Sequence, residues 1–253
     1  MPTTTKVLLH EAGPALWPEH KSNAEVADLR NTTPASVYEA TYQGNPTLPG
    51  GTTFKRSWWL DPANRYDPTD RKLKNLVVAR WHSWDTALKD KADAAFTSNV
   101  VGELLPDYRM LVRYVFKERL EFPDLPAIIE GQASGGNQDE KLRGLIIEDK
   151  ASGITALQTL AKNAPTWLQR LLIPFQPVGD KPTRAEQAAV WCSNGCVLLP
   201  LPGPSVPWLM DFEDELFNFP GTTYRDQVDA FSQLIIYTEN LLAAGYRLRQ
   251  AID

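Results

Sequence analysis

The sequence predicts an α/β fold, a mixed central sheet flanked by helices and preceded by an irregular N-terminal arm. Three observations carry this. From residue 73 onward, three strand-like runs come first, and strand-like runs then alternate with runs of helical period. That is the pattern of an antiparallel meander continued by β-α units. The apolar stock is large: 43% of the 253 residues are hydrophobic, among them 8 Trp, 8 Tyr and 9 Phe. A chain of this length buries about 73% of its unfolded surface, enough for a full core. Residues 1–70 differ: they hold 8 of the 20 prolines and the turn signals Gly44-Asn45-Pro46, Pro49-Gly50-Gly51, Asp61-Pro62 and Asp67-Pro68. The division expected is an arm over 1–70 and the folded domain over 71–253.

The elements follow in order. Within the arm, helices are expected around Glu25 to Leu29 and Ala35 to Gln43. Leu76-Val77-Val78-Ala79-Arg80-Trp81 reads as a buried strand running on to Asp85. Thr97 to Leu104 and Tyr108 to Phe116 read as strands joined tightly at Pro106-Asp107. Phe122 to Gln132 is a helix closed by Ser134-Gly135-Gly136-Asn137. Leu145-Ile146-Ile147 is a strand ending in Glu148-Asp149, and Ile154 to Lys162 is a helix with Ile154, Leu157 and Leu160 inward. Leu171 to Val178 contains prolines, which places it near a sheet edge. A helix from Thr183 to Cys192, a strand at Val197-Leu198-Leu199, and helices over Pro207 to Phe217 and about Asp226 to Ala244 complete the chain.

Composition excludes several classes. No apolar run approaches the roughly 20 residues of a spanning helix. The aromatic content excludes a disordered chain, and two cysteines exclude a disulfide scaffold. Cys192 and Cys196 are separated by three residues, which is not a redox C-x-x-C, and are read as reduced thiols. The amino terminus, MPTTTKVLLHEAGP, lacks a basic segment followed by an apolar one, so neither signal peptide nor lipid anchor is expected. Net charge is −5. That argues against coating nucleic acid by bulk electrostatics, but not against a nuclease that gathers acids around cations.

The acids have a pattern. Asp85 ends the first strand, where a carboxylate is costly unless it is paired or holds a cation; a turn or cap role is the other reading. Glu148 and Asp149 end the fourth strand. Successive strand residues point to opposite faces, so at most one of them shares a face with Asp85. Asp226 and Asp229 open the last helix on one face, where a capping role also suits them. Two strand-end carboxylates and a third from a helix beside them form the set that two-metal phosphodiester hydrolysis needs. Hard cations prefer such oxygen ligands. Gly153, just after the fourth strand, would let backbone pass close to a ligand. The acids of the segment 208–217 read as the wet face of an amphipathic helix whose inner side is Trp208, Leu209, Phe212 and Leu216. Asp93 reads as a solvated loop acid, and Trp58-Trp59 as packing of the arm onto the domain.

In order and spacing, four runs resemble the nuclease domain of the large terminase subunit of tailed bacteriophages. They are Ser83-Trp84-Asp85-Thr86-Ala87, Ile147-Glu148-Asp149-Lys150-Ala151-Ser152-Gly153, Gly179-Asp180-Lys181-x-x-Arg184 and Asp226-Gln227-Val228-Asp229-Ala230. The resemblance covers about residues 73–245. Leu16-Trp17-Pro18 and Tyr42-Gln43-Gly44-Asn45-Pro46 resemble the stretch joining the family's ATPase motor to its nuclease. The resemblance implies an RNase H-like fold and a metal-dependent endonuclease that cuts concatemeric viral DNA during genome packaging, using two Mg²⁺ or Mn²⁺ ions. It implies Asp85, Glu148 and Asp226 as catalytic metal ligands. Arg225 stands where the family often has the first of two adjacent acids, so Asp229 is a helper ligand. Lys150, Lys181 and Arg184 are implied near the DNA backbone. The implied partners are double-stranded DNA, the packaging ATPase motor, the portal and the small terminase subunit, in the host cytoplasm and with no membrane. The phosphate-binding string G-x-x-x-x-G-K-[ST] is absent, so the chain is expected to be a fragment beside a motor or a separate subunit. Two rival functions stay open: a resolvase or transposase acting on branched DNA, and a non-catalytic assembly module of the packaging motor.

Overall fold

The computed structural model describes residues 20–25, 53–87, 96–121, 124–134, 141–150 and 152–250. The chain divides into two compact units, Met1–Gly51 and Thr52–Asp253. In the first, Ser22 and Glu25 form a capping box. The Glu25 N–H donates to Ser22 Oγ at 3.3 Å, and the Ser22 N–H donates to Glu25 Oε2 at 2.8 Å. The rest of the helix expected from Glu25, the helix expected over 35–43 and the loop acid Asp93 lie outside the described residues.

The second unit is a seven-stranded mixed sheet with helices on both faces. Its strands are β1 (Arg65–Tyr66), β2 (Ala79–Asp85), β3 (Thr97–Leu104), β4 (Met110–Glu118), β5 (Leu142–Glu148), β6 (Leu172–Phe175) and β7 (Val197–Pro200). Their order in the sheet is β1-β7-β4-β3-β2-β5-β6. The meander β2-β3-β4 is antiparallel, while β5 and β7 add in parallel to β2 and β4. β6 lies at the sheet edge, where its proline is tolerated. The helices are α1 (Arg71–Leu76), α2 (Leu125–Ser134), α3 (Ser152–Asn163), α4 (Thr166–Gln169), α5 (Lys181–Ser193), α6 (Leu209–Asn218) and α7 (Asp226–Gln250).

Strand alternation sorts the core into two layers. Ile146 of β5 joins Trp81, Val100, Met110, Phe212, Phe231 and Leu234 on the face covered by α5, α6 and α7. Its neighbours Leu145 and Ile147 join Trp84 and Leu125, Ile129, Leu157 and Leu160 on the face covered by α2 and α3. Buried polar groups tie helices to strands. Gln233 of α7 donates through Nε2 to Ser83 Oγ at 3.0 Å, and to the carbonyls of Ile146 and Trp84 at 3.2 and 3.3 Å.

Four expectations need correction. Ile154, expected inward with Leu157 and Leu160, is 40% exposed in the first turn of α3. The strand read from Leu76 begins at Ala79, because Asp70 caps a preceding helix, its carboxylate accepting from the Lys72 N–H at 2.8 Å. The compact unit begins near residue 52, not after 70: Phe54 and Trp59 are in the core, the Trp59 indole N–H donates to the Val197 carbonyl at 2.9 Å, and β1 pairs with β7. Two 3₁₀ turns, Arg56–Trp59 and Pro62–Asn64, the second opened by its proline, stand in place of a loose arm. The acids of α6 are not all on a wet face. Glu213 pairs with Arg65 at 2.6 Å, and Glu215 is 4% exposed. Cys192 and Cys196 are free thiols, the first buried.

Candidate active site

Sheet register builds one side of the site. Ser83 pairs with Ile146 and Trp84 with Ile147, so Asp85 and Glu148 lie side by side at the ends of adjacent parallel strands. Parity decides which acid joins Asp85. Glu148 shares the face of Ile146, toward α5 and α7. Asp149 turns the other way and accepts from Gln176 Nε2 at 3.3 Å. Gly153 fixes the turn that follows, since a Cβ there would overlap the Glu148 carbonyl oxygen. The close approach anticipated at this glycine is therefore to the chain's own backbone.

The first turn of α7 builds the opposite side. Asp226 is 7% exposed and Asp229 3%. Asp226 does not cap its own helix; its Oδ2 accepts from the Phe96 N–H at 3.2 Å. The cap comes from α6: Glu215 Oε1 accepts from the N–H groups of Gln227 and Val228 at 2.8 and 3.2 Å. Glu215 also pairs with Lys117 at 3.0 Å. A buried anion at a helix amino terminus satisfies orphan donors and meets the positive end of the dipole.

Two cations of α5 stand between these acids. Gly179, at φ 79°, and Asp180, which accepts from the Thr183 N–H at 2.9 Å, start that helix. Lys181 Nζ contacts Asp229 Oδ2 and lies 3.6 Å from Asp85 Oδ2. Arg184 lies 3.4 Å from Asp229 Oδ1 and 3.9 Å from Glu148 Oε1. Arg184 is 5% exposed. Its guanidinium is thus an internal counter-ion between two acids. Lys181 is 44% exposed at the rim, and Lys150 is exposed in the turn after β5.

Burial sets the electrostatics. It pushes the Asp85 carboxyl up to about 8, with Asp229, Asp226 and Glu148 adding to the rise and Lys181 opposing it. Burial also raises Asp226 and Asp229, despite Lys181 beside both and Arg184 beside Asp229. Four carboxylates against two cations leave an excess of acid, with oxygen donors only. That donor set suits hard divalent cations. Among the described residues no three acids, histidines or cysteines close into a ready-made cage, and Lys181 and Arg184 pair with the acids instead.

The structure brings together Asp85, Glu148, Asp226, Asp229, Lys181 and Arg184, while Lys150 is exposed two residues beyond Glu148. Sequence reasoning missed Glu215, Gln233 and Phe96. The signal for Glu215 was its place on the apolar stripe of α6, seven residues from Trp208 and beside Leu216. Gln233 and Phe96 carried no comparable signal.

Fold and site define an α/β domain whose strand-end carboxylates face a helix bearing two more. Among solved structures, the human cytomegalovirus terminase nuclease domain, Mn-soaked and inhibitor-bound, matches with a TM-score of 0.51 and 14% identity. The match covers 73% of this chain and 94% of that one. The large terminase of a thermophilic bacteriophage matches with a TM-score of 0.50 and 11% identity, over 85% of this chain and 51% of that one. This chain therefore spans about half the length of that terminase. The chain has the terminase-nuclease fold. No protein-family profile matches the sequence, and no curated protein matches it.

Proposed function

We propose that this chain is a metal-dependent DNA endonuclease that cuts concatemeric viral DNA during genome packaging. The observation that carries it is the register placing Asp85 beside Glu148 on the face turned to Asp226 and Asp229. Asp85, Glu148 and Asp226 would hold two divalent cations, Mg²⁺ or Mn²⁺, with Asp229 alongside. Such ions activate water and stabilise the leaving oxygen of a phosphodiester. Glu215 fixes the turn that presents Asp226 and Asp229. Gln233 locks α7 to β2 and β5, so the four carboxylates keep a common frame. Arg184 stays buried and holds Glu148 against Asp229. Lys181, at the rim, is the cation able to turn outward to a phosphate.

The packaging ATPase motor, the portal and the small terminase subunit are the partners this reading implies, in the host cytoplasm. Among the described residues no helix is long and apolar enough to cross a membrane.

The test is plasmid nicking and linearisation in Mn²⁺ or Mg²⁺, beside EDTA and Asp85→Ala. The expected result is metal-dependent cutting that EDTA and the substitution both abolish, with the circular dichroism spectrum unchanged. Cutting by Asp85→Ala at the wild-type rate defeats the assignment. No cutting by the folded wild type, with no metal bound by calorimetry, makes the carboxylates structural.

A further inference from the structure

One cation is fixed on the rim of this acidic site without being neutralised there. Phe96 is tied to Asp226 through its N–H. Its ring meets that of Tyr224 edge to face, with centroids 4.8 Å apart. Arg119, just past the end of β4, lies over both rings, its Cζ 4.6 Å from the Phe96 centroid and 5.6 Å from that of Tyr224. Its Nη2 donates to the Tyr224 hydroxyl at 2.8 Å. Arg119 is exposed, and among the described residues no ion pair includes it.

Lys117, two residues earlier, shows the contrast. It also lies over Phe96, at 5.0 Å, but Asp211 and Glu215 pair with it at 3.1 and 3.0 Å. Its charge is taken up in holding α6 and α7 to the sheet. The charge of Arg119 is not, and two rings and a hydroxyl hold it in place. A guanidinium ordered before binding loses little freedom when it meets a ligand, and its planar fork suits a phosphate.

We infer that Arg119, braced by Phe96 and Tyr224, clamps a backbone phosphate of the DNA strand on the Asp226 side of the cut. The inference rests on the nuclease reading. A chain of net charge −5 with four clustered acids repels DNA near its site. A rigid cation on the rim offsets that repulsion locally and sets which phosphate enters.

The experiment titrates a dye-labelled duplex by fluorescence anisotropy over a salt series. It uses the Asp85→Ala chain in Mg²⁺, and recovered DNA is run on a gel. For each phosphate the protein no longer neutralises, the slope of log K against log salt becomes shallower by about 0.9. Adding Arg119→Ala is expected to make it shallower by about that much and to weaken binding by about tenfold. Arg119→Lys should keep the slope and lose part of the affinity. Tyr224→Phe should keep the slope and weaken binding by about threefold, because the brace loses its hydrogen bond. Slope and affinity unchanged in Arg119→Ala overturn the clamp, as does a parent chain that binds no duplex at any salt. If Arg119→Ala does not fold, Arg119→Gln is judged by the same criterion. Failure of the nuclease reading is seen separately, as wild-type chain that does not cut or Asp85→Ala that still does.

Discussion

Asp85 is the residue on which the proposed chemistry turns, and its environment gives it a measurable signature. Burial among three other acids raises its carboxyl from the ordinary 3.8 to about 8. The folded chain therefore holds a proton that the unfolded chain releases between those values. Stability from this group is complete below about pH 4 and is lost as pH rises through 8. In EDTA, the difference in unfolding free energy between wild type and Asp85→Asn should fall with rising pH, by up to about 1.4 kcal/mol per unit. Urea titrations of both chains at several pH values check this. A flat difference would mean that Asp85 is ionised throughout and already compensated. Lys181 and Arg184 show at the same scale why residue type does not settle a role. Both are basic and lie in one motif, yet one is at the rim and the other is buried between two acids.

Helix α7 carries two of the four acids, and its start is held from outside the element. Asp226 and Asp229 suit a helix amino terminus by themselves, yet Glu215 supplies the cap and Asp226 turns to Phe96. Each acid of α7 is thereby left for the site. Glu215→Ala removes the cap, the bonds from Gln227 and one partner of Lys117. The expected cost is about 2–3 kcal/mol in denaturant unfolding, with weaker metal binding by calorimetry because Asp226 and Asp229 lose their frame. Glu215→Gln, which keeps an acceptor oxygen for the helix N–H groups, should recover part of the stability. Equal stability of Glu215→Ala and wild type would refute this role.

At the scale of the whole domain, an excess of buried acid makes the fold responsive to cations. A ligand that binds only the folded state stabilises it by about 2.7 kcal/mol at a hundred times its Kd. For a chain of this size that corresponds to a rise in Tm of about 5–10 °C. Adding Mn²⁺ or Mg²⁺ should raise Tm in scanning fluorimetry, EDTA should reverse it, and Asp85→Ala should remove most of the gain. A Tm indifferent to both ions would mean that Lys181 and Arg184 already satisfy the acids.

The succession of β2 to β7 along the chain, the parity that allows only one of Glu148 and Asp149 beside Asp85, and the identity of the acids were legible in the sequence. They follow from local period and composition, which a chain carries along its length. Which acid of that pair faces inward, what caps α7 and whether a cation is buried or at the rim depend on groups far apart in sequence. Only register and packing decide those. The segment from Phe54 to Tyr66 makes the same point. Its proline and turns describe an irregular chain correctly, but its place in the core comes from Trp59 reaching Val197 and from β1 pairing with β7. By itself the sequence determined the element pattern and the acids available to a site. The tertiary structure alone decided which acids meet and what holds them, because hydrogen bonds and burial act across space and not along the chain.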